Sequence, residues 1–177
     1  LIGYDLETFD PYLTQDGPGW ARGVGHVLGV ALAVDHNQAW YIPVGENPEP
    51  GVIKYLKDTL ETPIDKVGAN LQYDMGWLSE IGIYPQGVNL DVQFAEALLD
   101  DVLIDPWGKR LSLSLDSLAD RYLGRKKEKF EIEKYCQEKW PRSKDFRENL
   151  WKCPEHLVAE YAKVDAQLCI PIIKQQW

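Results

Sequence analysis

The sequence predicts an α/β fold, a mixed five-stranded sheet with helices on both faces and a mainly helical C-terminal half. Strand-like runs rich in β-branched and aromatic residues come first along the chain. Alternating strands and helices follow, and then segments whose apolar residues recur every three or four positions. This order is typical of one sheet that is covered by helices from the same chain.

The first strand shows the clearest alternation. Its apolar side chains Ile2, Tyr4 and Leu6 fall on one face, and Gly3, Asp5 and Glu7 fall on the other. The predicted strands are residues 1–6, 26–34, 39–43, 66–69 and 88–90, with a hairpin turn at 35–38 and a Pro-, Gly- and Asp-rich loop at 9–25.

Helical spacing predicts the remaining elements. The segments are 50–60, 71–81, 92–99, a helix through Leu111, Leu115, Leu118 and Tyr122 that ends at Gly124, two short helices within 126–147, and a long helix from Pro154. Together, these elements predict one domain over residues 1–177. Residue 1 already fits a strand and residues 172–177 still fit a helix, so we expect the domain to belong to a longer chain.

Charge and cysteine content limit the functional classes. The net charge is −9, yet residues 1–100 carry 4 Lys or Arg against 15 Asp or Glu, while residues 101–177 carry 15 against 13. Such asymmetry suits a protein that holds cations in one place and phosphates in another, although solubility alone would explain it. No apolar run suits a membrane span, so no membrane partner is expected. Three widely spaced cysteines indicate a reducing, cytoplasmic compartment.

Two pairs of polar residues lie at strand ends. Asp5 and Glu7 share one strand face about 7 Å apart, and their mutual repulsion calls for a cation between them unless the strand end emerges into water. Gly3 opens space beside Asp5. Asn70 and Asp74 flank the next strand-to-helix junction, where Asn70 is a plausible N-cap and the helix dipole favours Asp74. Capping alone would explain the second pair.

A third pair is the strongest anomaly in the sequence. Tyr161 and Asp165 are spaced i, i+4 on the final helix, on a face that is otherwise apolar. A carboxylate in an apolar stripe must be paired, protonated or bound to metal, and no Lys or Arg stands one turn away. A salt bridge from another element is the alternative.

The four carboxylates together match the charge of two divalent cations. Hard oxygen ligands select Mg²⁺ or Mn²⁺ over zinc, and no His/Cys cluster competes. Two such ions can activate a water molecule and stabilise the leaving oxygen of a phosphodiester. The residues alone therefore predict a possible two-metal phosphoryl-transfer site.

Three motifs resemble those of the DEDD exonuclease superfamily, which has a ribonuclease H-like fold. They are Asp5-Leu6-Glu7-Thr8, Asn70-Leu71-Gln72-Tyr73-Asp74 and Tyr161-Ala162-Lys163-Val164-Asp165. The third motif has the tyrosine form, because Glu160 stands where the other subclass has histidine. The resemblance is therefore to the DEDDy subclass.

The resemblance covers nearly the whole chain. Residues 30–32, 41–45, 66–68, 90–92 and 115–124 are similar to the proofreading domain of family A DNA polymerases, and the loop at 17–23 suggests a phage relative. This similarity implies a covalently linked polymerase domain, the 3′ end of single-stranded DNA as substrate, a monomer, and a bacterial host cytoplasm. The stretch 131–153 is longer than usual in this family, and its role is open.

The resemblance also implies a mechanism. Asp5 bridges two metal ions, Glu7 and Asp165 complete the first, and Asp74 holds the second. Glu7 and the Tyr161 hydroxyl orient a water molecule for in-line attack, and the products are a 5′-mononucleotide and a shortened strand.

Substrate contacts are predicted around this site. Leu6, Thr8 and Asn70 flank it, although contact by Leu6 requires a bend at the strand end because its parity is opposite. Tyr73 either stacks on a base or packs against the sheet. The basic residues Arg121, Arg125, Lys126, Lys127 and Lys129 either follow the phosphate backbone or form a solvated face. Asp91 is expected to be an N-cap.

Two other functions are compatible with the same residues. One is an exoribonuclease of the same superfamily, because a site that tolerates a 2′-hydroxyl accepts RNA. The other is a catalytically silent module that binds DNA or the neighbouring polymerase. The presence of all four carboxylates and the tyrosine favours an enzyme.

Overall fold

One mixed sheet organises the protein. The computed structural model describes residues 1–99, 104, 108, 111–124, 131–143 and 145–177. The strands β1 (Ile2–Phe9), β2 (His26–Ala33), β3 (Ala39–Pro43), β4 (Lys66–Gly68) and β5 (Asn89–Asp91) are ordered β3-β2-β1-β4-β5. β2 is antiparallel to β1 and β3, whereas β4 is parallel to β1 and β5. The predicted mixed five-stranded sheet is confirmed.

Helices account for about half of the chain and cover both faces. They are α1 (Leu13–Asp16), α2 (Pro50–Leu60), α3 (Leu71–Glu80), α4 (Val92–Leu99), α5 (Leu115–Leu123), α6 (Glu131–Lys139) and α7 (Glu155–Gln176), with 3-10 segments at Gly19–Arg22 and Phe146–Lys152. The prediction of a loop over residues 9–25 is wrong in part. Strand β1 continues to Phe9, which pairs with His26, and α1 and a 3-10 turn follow.

The alternation of β1 divides the core into two layers. Tyr4 and Leu6 pack on the α2 and α3 side, together with Leu56 and Leu78. The opposite face of the sheet meets α7, whose apolar stripe packs with residues of α4 and α5. No helix in the described part of the chain is long and apolar enough to cross a membrane.

Gly3 brings α7 directly onto β1. A Cβ atom at Gly3 would lie 2.4 Å from the carbonyl oxygen of Ala166, which is far inside van der Waals contact. The expectation that Gly3 leaves open space beside Asp5 is therefore wrong, because the backbone of α7 fills that space. The contact places Asp165, the neighbour of Ala166, beside the strand that carries Asp5.

Candidate active site

All five side chains predicted to carry catalysis line one cleft of about 310 Å³. β1 supplies Asp5 and Glu7, the first turn of α3 supplies Asp74, and α7 supplies Tyr161 and Asp165. Residues from three distant parts of the sequence therefore converge, because β1 is central in the sheet and lies between α3 and α7.

The end of β1 is irregular where the cleft begins. Its pairing with β2 shifts register between Glu7 and Thr8, which is the kind of strand-end distortion that re-aims side chains. Leu6 belongs to the opposite core layer, yet it lines the rim of the cleft. The predicted requirement for a bend next to Leu6 is met.

Asn70 and Asp91 position α3. Asn70 has a left-handed conformation with φ of 60°, the only positive φ of a non-glycine residue in the described ranges. Asn70 is the N-cap residue of α3, as predicted, but its side chain makes no capping hydrogen bond. The Leu71 N–H instead donates to Asp91 Oδ2 at 2.7 Å, while the Gln93 N–H donates to Asp91 Oδ1 at 2.8 Å. The Asp91 carboxylate thus caps both α3 and α4. The sequence predicted its cap on α4 but not the one on α3.

Asp74 experiences strong electrostatic repulsion. Burial raises the pKa of its carboxyl well above the usual value, and the charges of Asp5, Glu7 and Asp91 raise it further. Its Oδ2 atom is buried and accepts no hydrogen bond from the described residues. A cation in the cleft would offset this cost.

Tyr161 and Asp165 lie on the buried face of α7, as the sequence predicts. Burial raises the pKa of the Tyr161 hydroxyl far above its ordinary value, with Asp165, Glu7 and Asp5 adding to the shift, so the hydroxyl stays protonated. The ring of Phe146 packs edge-on against Tyr161, with 5.6 Å between ring centroids. The Phe146–Lys152 segment therefore buttresses the tyrosine.

The donor set fits divalent cations of the Mg²⁺ or Mn²⁺ type. Five carboxylates line the cleft, the four predicted ones and Asp116, and one of them, Asp74, is buried among like charges. Carboxylate oxygens are the ligands that these hard cations prefer. Across the described ranges, no three carboxylate, thiol or imidazole groups stand together as a ready-formed metal site.

A second groove adjoins the cleft. It is lined by Thr8, Asp10, Trp151 and others, and it shares Leu6, Glu7, Tyr73, Arg147 and Leu150 with the carboxylate cleft. The Tyr73 hydroxyl donates to Asp10 Oδ2 at 3.1 Å and lies 2.8 Å from Thr8 Oγ1. Its ring also packs edge-on against Trp77. Tyr73 is thus fixed between the two cavities.

Sequence reasoning missed two charged residues of the cleft. Asp116, in the first turn of α5, and Arg147, in the Phe146–Lys152 segment, both line it. The Ser114 N-cap signal locates the start of α5, but nothing in the sequence indicates where α5 or residue 147 lies relative to β1.

The structure describes one residue of the predicted basic stretch, Arg121, and gives it a role other than phosphate contact. Arg121 forms an ion pair with Glu96 and donates to the Ser112 carbonyl, so it is a structural residue. The predicted phosphate contacts Arg125 and Lys126, like Lys127 and Lys129, lie outside the described residues.

A family profile described as a 3′-5′ exonuclease, of the family A DNA polymerase type, matches residues 3–176. A "DNA-directed DNA polymerase" of Pseudomonas phage M6 is 28% identical over 184 residues, which cover 99% of this chain and 26% of that protein. The chain therefore spans about a quarter of its relative, and the predicted likeness to a phage polymerase is confirmed.

Solved structures share the fold. The polymerase domain of Pol1 from M. smegmatis, in complex with DNA primer-template and dNTP, has a TM-score of 0.63 at 16% identity, covering 99% of this chain and 23% of that one. NrnC of Brucella melitensis bound to pGG has a TM-score of 0.63 at 18% identity, covering 99% and 70%. The same protein with bound Mg²⁺ has a TM-score of 0.62 at the same identity and coverage. These likenesses confirm a ribonuclease H-like exonuclease fold.

Proposed function

This chain belongs to the 3′-5′ exonuclease family of family A DNA polymerases, and from that premise we propose that it removes nucleotides from DNA 3′ ends. Its substrate is the terminal phosphodiester of single-stranded or frayed DNA, and its product is a 5′-mononucleotide. The observation that carries the proposal is the convergence of Asp5, Glu7, Asp74, Tyr161 and Asp165 on one cleft.

The protein residues divide the work of hydrolysis. The Glu7 carboxylate accepts a hydrogen bond from the attacking water, and the Tyr161 hydroxyl fixes that water in line with the scissile bond. Asp5 on β1 and Asp165, which α7 holds beside β1, supply oxygen ligands for cations. Asp74 supplies a further ligand from α3.

Two divalent ions, Mg²⁺ or Mn²⁺, would be held by these four carboxylates and would supply water activation and charge stabilisation at the leaving oxygen. Their binding also relieves the repulsion that Asp74 experiences. This accounts for the accumulation of buried carboxylates that would otherwise destabilise the fold.

The substrate strand enters through the second groove in this proposal. Tyr73, held by Thr8 and Asp10, offers its ring to the terminal base, and Leu6 and Asn70 contact the terminal nucleotide at the rim. The predicted phosphate contacts by Arg125 and Lys126 stay part of this proposal. The chain acts as the proofreading domain of a longer polymerase, as a monomer in the cytoplasm of a bacterial host, and residues 1–177 form this single domain.

Digestion of 5′-labelled single-stranded DNA tests the function. With Mg²⁺ or Mn²⁺, we expect a ladder that shortens from the 3′ end and releases 5′-mononucleotides, and no ladder with EDTA. Asp165→Asn, which keeps the side-chain shape, should lower the rate at least about 100-fold because it removes a charge from the reacting centre.

Glu160→Gln is the matched control, because Glu160 lies on the same helix with a side chain that is 70% exposed. It should digest at the rate of the unsubstituted chain. An RNA oligonucleotide of the same sequence distinguishes the substrate, since faster digestion of RNA would replace the DNA assignment by the ribonuclease one. No digestion with either metal would contradict the proposed activity.

A further inference from the structure

Arg147 occupies an unusual position in the molecule. It lines both the carboxylate cleft and the second groove, at the point where the two meet. In the described part of the chain it is the only basic residue that lines either cavity. A strand that passes from one cavity to the other runs past the residues that line both, and Arg147 is the basic one among them.

We infer that Arg147 is a phosphate-binding residue that holds a phosphodiester of the bound strand at the junction of the two cavities. The inference rests on the proposed function for the identity of the strand. It assigns a role to the stretch 131–153, for which neither the motifs nor the proposed mechanism provides one.

The segment that carries Arg147 is firmly anchored. Asp145 caps it, accepting a hydrogen bond from the Arg147 N–H at 3.0 Å. The buried side chains of Asn149 and Leu150 fix its other end, and Phe146 packs on Tyr161. The backbone of residue 147 is therefore held at a defined place relative to the tyrosine.

The guanidinium group is only partly engaged by the protein. Its Nε atom lies 3.3 Å from Asp145 Oδ1, and its Cζ atom lies 5.8 Å from the centre of the Phe146 ring. The side chain is 58% exposed, so solvent and ligands can reach much of the guanidinium group. A guanidinium that pairs with a carboxylate through Nε and is otherwise exposed can present its Nη donors to two oxygens of a phosphate.

Arg147 is the positive charge among several acidic groups. Partial burial lowers the pKa of Arg147, but Tyr161, Asp145, Asp116 and Asp165 outweigh it and raise the pKa above its usual value. The carboxylates among these groups repel a phosphate that enters the cleft. The positive charge of Arg147 is placed where it offsets that repulsion. The arrangement gives the strand a cationic contact without neutralising the carboxylates that hold metal ions.

The test compares Arg147→Gln with Arg142→Gln. Arg142 is exposed in the same part of the chain and lines neither cavity, so both variants lose one positive charge but only one loses the proposed contact. We expect Arg147→Gln to raise the KM for single-stranded DNA roughly tenfold, with kcat changed far less, since the contact forms in both the bound and the transition state. Arg142→Gln should leave KM nearly unchanged.

Salt dependence distinguishes a phosphate contact from a structural effect. The affinity of a fluorescent single-stranded DNA, measured in EDTA, should fall less steeply with salt in Arg147→Gln, with a log–log slope smaller by about 0.7. Arg147→Lys should retain the slope because it keeps the charge. An unchanged melting temperature in all three variants excludes misfolding.

The outcomes separate this inference from the proposed function. Digestion by Arg147→Gln with the KM and salt slope of Arg142→Gln would overturn the phosphate contact and leave the exonuclease intact. Binding without digestion, weakened by Arg147→Gln, would support the contact and contradict the nuclease. Absence of both binding and digestion in the unsubstituted chain would overturn both.

Discussion

Asp74 and Glu96 each leave 4% of their surface exposed, yet the pKa values of their carboxyls shift in opposite directions. The pKa of Asp74 is raised well above its usual value, whereas that of Glu96 is lowered. Burial alone cannot explain the difference. The neighbours of each carboxylate must decide it.

Glu96, on α4, is surrounded by donors. Tyr122 donates to its Oε2 at 2.5 Å, Gln176 donates to the same atom at 2.9 Å, and Arg121 pairs with Oε1. Burial raises the pKa of the Glu96 carboxyl, but these hydrogen bonds and the charge of Arg121 outweigh it. This carboxylate ties α4, α5 and α7 together.

Asp74 is surrounded by other carboxylates. Burial and the charges of Asp5, Glu7 and Asp91 act in the same direction, so the folded protein carries a cost there that no described donor relieves at Oδ2. A buried carboxylate that has hydrogen-bond donors can thus be held in its charged form, whereas one among like charges suits the cation site proposed above.

The largest expected effect is at the donor-rich carboxylate. Glu96→Ala should lower the free energy of unfolding by about 3 kcal/mol, because it leaves the partly buried Arg121 without its partner. Urea denaturation measures the loss. Asp58→Ala, which removes only an exposed i, i+4 pair with Lys54, should cost less than about 1 kcal/mol. Equal losses of unfolding free energy in Glu96→Ala and Asp58→Ala would contradict the expected difference between the buried and the exposed ion pair.

Asp74→Asn should have the opposite sign. In EDTA we expect it to raise the free energy of unfolding by about 1 kcal/mol, or the melting temperature by ~2–4 °C, because one repelling charge is lost. Adding Mg²⁺ or Mn²⁺ should then stabilise the unsubstituted chain more than the variant. Glu160→Gln should be stabilised by metal as much as the unsubstituted chain. A lower free energy of unfolding for Asp74→Asn in EDTA would contradict the repulsion assigned to Asp74.

The smallest expected effect is the pH dependence of the stability that Glu96 contributes to the fold. Its carboxyl has a lowered pKa in the folded state, so its contribution to stability is complete above the ordinary value of 4.5 and is lost as the pH falls through the lowered value. The difference in free energy of unfolding between the unsubstituted chain and Glu96→Gln should thus be constant near neutral pH. It should become smaller below about pH 4. A gap that widens with acid would reverse the assigned sign.

Local patterns predicted much of the fold and of the candidate site. Alternation in β1 placed Asp5 and Glu7 on one face, and the i, i+4 spacing in α7 placed Tyr161 and Asp165 on one side, because both depend only on the geometry of a single element. The order of strands and helices predicted the layered sheet. These features required no knowledge of contacts between elements.

Features that depend on contacts between elements were not predictable. The conformation of Asn70 and the double capping by Asp91 arise because β4 and β5 end side by side, and the sequence does not show that proximity. Arg147 reaches the cleft because the segment that carries it is fixed on both sides of residue 147. Phe146 packs on Tyr161, and Leu150 is buried. Arg121 resembles a member of a basic run, yet a distant glutamate engages it.

The tight contact at Gly3 has a consequence for motion. The backbone of α7 rests on β1 without a side chain of residue 3 between them, so neither element can slide relative to the other without losing packed contacts on that face of the sheet. Amide hydrogens of β1 and central α7 should be among the slowest to exchange with solvent. The distance between β1 and α7 is then fixed in the protein alone, before any substrate of the proposed reaction binds.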